Sequence, residues 1–136
     1  MNSQIKIPVK IPKQQTHCNI KKVAIFGSAD VDKDHPLYQE AFNVARYLAY
    51  HDKVVIDGGG PGVMDAATAG AESADGETIA VTFYPKDMPE FEGRYHEDNV
   101  DQEIKTANYV ERMFGFIDLA DAFIIFELIL LAAEDN

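Results

Sequence analysis

The 136-residue sequence predicts an α/β domain, an open parallel sheet with helices on both faces. Three features carry this expectation. Short apolar runs recur at 23–26, 54–56, Thr78–Phe83 and Ala122–Phe126, and segments with helical spacing lie between them. A glycine run, Gly58-Gly59-Gly60-Pro61-Gly62, joins one apolar run to the next helical segment. Unbroken apolar runs of this length are what strands buried on both faces look like, and their alternation with helices implies parallel pairing.

Taken in order, Val23-Ala24-Ile25-Phe26 is the first strand and ends in Gly27-Ser28. Pro36 suits the first turn of a helix, where its missing N–H is no loss. Leu37, Ala41, Val44, Ala45 and Leu48 then recur at helical spacing as far as Tyr50, predicting the buried face of that helix. Val54-Val55-Ile56 is the second strand, closed by Asp57, and a helix over 62–74 follows the glycine run. Its small residues, Ala66, Ala67, Gly70 and Ala71 among them, predict close packing. Thr78–Phe83 is the third strand. The stretch 84–99, with Pro85, Pro89 and Gly93, reads as a loop, and its acid-rich end as a solvated one. A short strand at 103–106 precedes a helix over 108–119 with Met113, Phe116, Ile117 and Ala120 on its apolar face, and Ala122–Phe126 is the last strand. Residues 1–20 carry Lys6, Lys10, Lys13, Pro8 and Pro12 and no acid, so they read as a flexible basic arm ahead of a single domain over 21–136.

A net charge of -11 argues against nucleic acid and anionic membrane as partners, so any bound anion must be met by local donors. The single cysteine, Cys18, cannot form an intrachain disulfide, and the N-terminal residues contain no apolar core of a secretory signal. The apolar stretch 128–133 is too short to span a bilayer. Together these predict a cytoplasmic protein. His17, His35, His51 and His96 are scattered without ligand spacing, so no metal and no other cofactor is expected.

The glycine turn is the chemical centre of the sequence. Glycines at Gly58, Gly59 and Gly60 remove the Cβ atoms that would hold an anion away from the backbone, and they permit the positive φ of a tight turn. The helix that begins at Gly62, Val63 and Met64 presents unpaired N–H groups and the positive end of its dipole. A purely structural turn is the competing reading. The first turn, Gly27-Ser28-Ala29-Asp30, lacks G-x-G-x-x-G, and no lysine follows a glycine run as in a P-loop, which argues against NAD binding and ATP hydrolysis.

VAIFGSA at the first strand, GGGPGVMDAATAGA after the second, and YVERM leading to DAFIIF together resemble the LONELY GUY (LOG) family over about residues 22–126. This family is also filed as lysine decarboxylase-like and is related to molybdenum-cofactor carrier proteins. The resemblance implies a Rossmann-like fold that binds a nucleoside 5′-monophosphate, usually as a homodimer. It also implies phosphoribohydrolase activity, cleavage of the N-glycosidic bond to free base and ribose 5-phosphate. Decarboxylation lacks support, since nothing points to a pyridoxal-phosphate lysine. By position, Arg112 falls on the family's active-site arginine and Glu111 on the acid before it. Gly58, Gly59, Gly60 and Gly62 fall on the phosphate loop, with Val63 and Met64 opening its helix, and Gly27 and Ser28 on the first nucleotide-contact turn. Without that context, Glu111 and Arg112 read as a surface ion pair.

The family's second signature, PGGxGTxxE directly after the DAFI strand, supplies more glycines and the catalytic glutamate. Here Phe126 runs straight into Glu127-Leu128-Ile129, and no glycine follows Gly115. Two explanations are open, an internal segment missing near 126/127 or a short relative that has lost the motif. The first is favoured, because the unbroken junction leaves the carboxyl edge of the sheet without a loop. If the motif is truly absent, the alternative is a non-catalytic carrier of a nucleotide or of molybdenum cofactor. A purely structural subunit is a further rival.

Overall fold

In the computed structural model, which describes residues 19–84 and 100–127, strands and helices follow one another as the sequence predicts. They are β1 (Lys22–Gly27), α1 (Pro36–Tyr50), β2 (Val54–Asp57), α2 (Val63–Ser73), β3 (Thr78–Phe83), β4 (Gln102–Thr106), α3 (Tyr109–Leu119) and β5 (Ala122–Phe126). The expected N-terminal arm up to residue 18, nearly all of the 84–99 loop and the segment after Glu127 lie outside the described residues. Among the described residues no helix is long and apolar enough to cross a membrane.

The five strands form one sheet in the order β4-β3-β2-β1-β5, and every pairing is parallel. The chain therefore walks outward from β1 to β4 and then crosses back over the sheet to place β5 on the far side of β1. Asp residues fix the strand entries. The Asp121 carboxylate accepts from the N–H groups of Lys21 and Lys22 at 2.9 and 3.0 Å, which holds its pKa below the usual carboxylate range. The Asp101 carboxylate accepts from the Thr78 N–H at 2.9 Å, tying the approach to β4 to the start of β3.

Helices cover both faces, unevenly. On one face α1 and α2 enclose a core built around Ile25, Val55, Val63, Tyr38 and Ala45. On the other, among the described residues, α3 is the helix that covers the sheet, and it contributes Phe116 to a core with Ala24, Ile56, Ile79 and Val81. The face of α1 that is buried runs through Tyr38, Ala41, Ala45 and Ala49, rotated from the expected one; Leu37, Val44 and Leu48 are only half-buried. The cause is the approach of α2, where a Cβ on Gly70 would run into the Phe42 carbonyl and the Ala45 methyl, so only small residues fit the contact. Of the expected apolar face of α3, Phe116 is buried, but Met113 and Ile117 are 63% and 56% exposed. Apolar residues occupy more of α3 than one helix on half a sheet face can bury, and Phe123 and Ile125 of β5 share that open face.

Candidate functional site

The reversal of strand order sits between β1 and β5, and ligands of open α/β sheets bind outside the carboxyl ends of the strands at such a point. A cleft of about 400 Å³ opens there, lined by Gly27, Ser28, Ile125, Phe126 and Glu127. Gly27 pairs with Phe126 across the two strands, and a Cβ on it would strike the Phe126 carbonyl and the Val63 side chain.

The glycine turn leads from β2 into α2 and leans on the β1 turn. The Val63 N–H, the first of α2, donates to the Ser28 carbonyl at 2.9 Å, which seats the helix N-terminus beside the cleft. Gly62 makes this seating possible. Its φ of 73° lies in the left-handed region, and a Cβ would overlap the Ser28 carbonyl. Gly59 also has a positive φ, 71°, and its N–H donates to Asp57 Oδ1 at 2.7 Å.

Of the residues expected to bind phosphate, then, Gly59 and Val63 have already spent their N–H groups inside the protein. The N–H groups of Gly60, Gly62 and Met64 have no acceptor among the described residues. Gly58, Gly59 and Gly62 are buried, whereas Ser28, Gly60 and Met64 are half-buried and form the accessible rim.

Arg112 reaches this turn from the other side of the sheet. Its Nε donates to the Val81 carbonyl at 3.0 Å and its Nη2 to the Gly58 carbonyl at 2.9 Å, with Met64 Sδ 3.7 Å away. Gly58 is the contact that admits it, because a Cβ there would coincide with the guanidinium. Burial lowers the Arg112 pKa, and Tyr109 and Asp57 oppose the shift. Glu111, one residue earlier, is exposed. Its N–H donates to the Asn108 side chain at 2.9 Å and its carboxylate accepts from the Ala107 N–H at 2.8 Å, a reciprocal cap on the first turn of α3. The structure thus brings Arg112 onto the glycine turn and sets Glu111 at the helix entrance. Beside Arg112 an apolar groove of about 520 Å³ runs between α3 and the strands, lined by Phe26, Tyr109, Met113, Phe116 and Phe123 among others.

Beneath the turn lies a polar cluster that sequence reading passed over. Asp57 is completely buried, and besides Gly59 it accepts from the Thr68 hydroxyl at 2.5 Å. Asp65, buried in the first turn of α2, accepts from the Tyr38 hydroxyl at 2.7 Å. An Asp closing an apolar strand was visible in the sequence, but Thr68, its partner, and the Tyr38–Asp65 pair belong to helical segments and gave no signal that they meet.

Fold and site together define a Rossmann-like α/β domain of the LOG type. The chain belongs to the SLOG cluster4 family, whose model matches residues 20–129. An uncharacterized protein of Archaeoglobus fulgidus is 30% identical over 69 residues, covering 51% of this chain and 44% of that protein. Among solved structures, the chain resembles the X-ray structure of TM1055 with a TM-score of 0.61 at 24% identity, covering 78% of this chain and 60% of that one. The molybdenum cofactor carrier protein of Chlamydomonas reinhardtii gives 0.61 at 22%, covering 80% and 63%. The molybdenum cofactor binding protein of Rippkaea orientalis gives 0.59 at 21%, covering 84% and 66%. The chain thus spans under half of the curated relative and about two thirds or less of these structures; at such identities the structures speak for the fold alone.

Proposed function

We propose that this domain binds a nucleoside 5′-monophosphate, with the phosphate on the N–H groups of Gly60, Gly62 and Met64 and the nucleoside lying over Ser28 into the β1/β5 cleft. The observation that carries this reading is the seating of the α2 N-terminus on the Ser28 carbonyl, which sets the open N–H groups at the topological switch point. AMP is the first ligand to test. A ligand that binds only the folded state raises its melting temperature, so AMP should stabilise the protein more than adenosine does. Equal effects, or none, would remove the phosphate from the reading.

For chemistry, the family resemblance favours N-glycosidic hydrolysis. Arg112 would orient the nucleotide, and Glu111 would serve as the carboxylate that stabilises charge developing on the ribose or activates water. Glu111 would have to exchange its bond to Ala107 for one to substrate. That engagement is the specific observation in favour of the second reading, a carrier that binds a nucleotide or molybdenum cofactor without cleaving it. Chromatography of protein incubated with AMP separates the two readings, since only the hydrolase releases adenine. Val110, Met113, Phe114 and Ile117, all exposed on α3, support the further proposal of a homodimer, which sedimentation tests.

A further inference from the structure

We propose, building on the anion site of the preceding reading, that an anion enters the glycine turn together with one proton from solvent, taken up by the buried Asp57 carboxylate. Asp57 immediately precedes Gly58 and is fully buried, and Asp65, 7% exposed, stands in the first turn of α2. The same turn therefore holds two buried carboxyls directly behind the N–H groups offered to the anion.

Little around the pair compensates a second charge. From α2, the Thr68 hydroxyl donates to Asp57, and from α1 the Tyr38 hydroxyl donates to Asp65. From α3 the facing group is Arg112, whose guanidinium is already committed to the carbonyls of Gly58 and Val81. The strands on either side of β2 contribute the apolar Ile25 and Ala80. Burial pushes the Asp57 carboxyl up to about 7; the bonds from Thr68 and Gly59 pull it down, Asp65 pushes it up, and Arg112 has the smallest, lowering effect. An anion on Gly60, Gly62 and Met64 adds another negative charge to the turn and favours the protonated carboxyl further.

Protonation requires no rearrangement of the turn. The proton sits on Oδ2, the oxygen facing Thr68, and the Thr68 hydroxyl rotates from donor to acceptor, while Oδ1 keeps the Gly59 N–H. The proton returns to solvent when the anion leaves.

The test is calorimetric titration of the full chain with inorganic sulfate, whose own charge is constant between about pH 5.5 and 8.5, in buffers of differing ionisation enthalpy. The expected result is an affinity that falls by up to about tenfold per pH unit above neutrality, with uptake approaching one proton per anion. Asp57→Asn should bind sulfate without that pH dependence and without the proton. Thr68→Val keeps the carboxyl and removes a bond that favours its charged form, so its profile should move to higher pH; this holds the test open if Asp57→Asn does not fold. Sulfate binding that is independent of pH, or a pH dependence unchanged in Asp57→Asn, overturns the proposal while leaving the anion site standing. Failure of both sulfate and AMP to bind at any pH overturns the anion site itself and the proposal with it.

Discussion

Arg112 Nη2 lies 2.9 Å from the Gly58 carbonyl oxygen, so a residue of α3 is fastened to the turn between β2 and α2. With the second bond to Val81, one guanidinium joins the turn after β2 to the middle of β3. Arg112→Ala is expected to lower the unfolding free energy in urea by about 2 kcal/mol, the usual worth of bonds from a charged group. Arg112→Lys should recover less than half of that, because an ammonium on a flexible stem does not reproduce the planar fork. If Lys restores full stability, the bond pair contributes only charge.

Gly62→Ala should cost about 1–3 kcal/mol, the price of holding a side chain in the left-handed region, and more if the overlap with the Ser28 carbonyl cannot relax. It should also abolish stabilisation by AMP. Gly60→Ala is the informative contrast. Gly60 has no positive φ, and its added methyl meets only the flexible end of Met64. Melting temperature should therefore change little, while AMP stabilisation falls because the methyl stands on the accessible rim.

The raised Asp57 pKa sets a direction for stability against pH. Its carboxyl moves from an ordinary 3.8 to about 7 on folding, so below 3.8 both states hold the proton and the full stability is present. Between these values only the folded state keeps it, and stability falls as pH rises; above about 7 both states have lost it and the curve is flat. A shift of this size corresponds to at most about 4 kcal/mol. Denaturation of wild type and Asp57→Asn at pH 4 and pH 8 should show the variant gaining relative stability at the higher pH by a few kcal/mol. A difference that does not change with pH would show that Asp57 ionises normally.

Glu111→Gln keeps an acceptor for the Ala107 N–H, so its stability should stay within about 0.5 kcal/mol of wild type, whereas Glu111→Ala should lose about 1 kcal/mol with the cap. On the hydrolase reading, Glu111→Gln binds AMP and releases no adenine. Unchanged adenine release from Glu111→Gln would confine the residue to capping.

The Phe126–Glu127 junction makes its own prediction. Glu127 borders the switch-point cleft without the glycines expected after β5. We infer an internal segment missing at this join, so the intact mass of the natural protein should exceed that calculated from 136 residues. An equal mass would favour the carrier reading.

The order of elements was legible because β1, β2, β3 and β5 are largely apolar runs, and β3 and β5 have the bounds that their composition suggested; β4, with one apolar residue in five, carried the weakest signal. The glycine turn was legible from its own residues, whereas Arg112 was singled out only by the family resemblance, and its bond to the Gly58 carbonyl by nothing in the sequence. What composition could not show was depth. Met113 and Ile117 look like core residues, yet they face outward because the core is set by how many helices share a sheet face, a property of the whole chain. Asp57 looked like a strand terminator, and its partners Thr68 and Gly59 come from two different turns of chain brought together only by the return of α2. The Val63–Ser28 bond was hidden for the same reason.

The position of β1 between β2 and β5 also governs when the site can exist. Its β2 partner follows after one helix, but the Lys22–Asp121 bond that marks its meeting with β5 spans 99 residues. Contacts of such separation form late, since closing the intervening chain costs entropy before any pairing repays it. During synthesis the outer edge of β1 therefore stays open until nearly all of the described chain has emerged, while the glycine turn next to β2 is already made. The crevice is the last part of the sheet to be assembled, so a half-folded chain possesses the turn but has no second wall for a ligand to rest against.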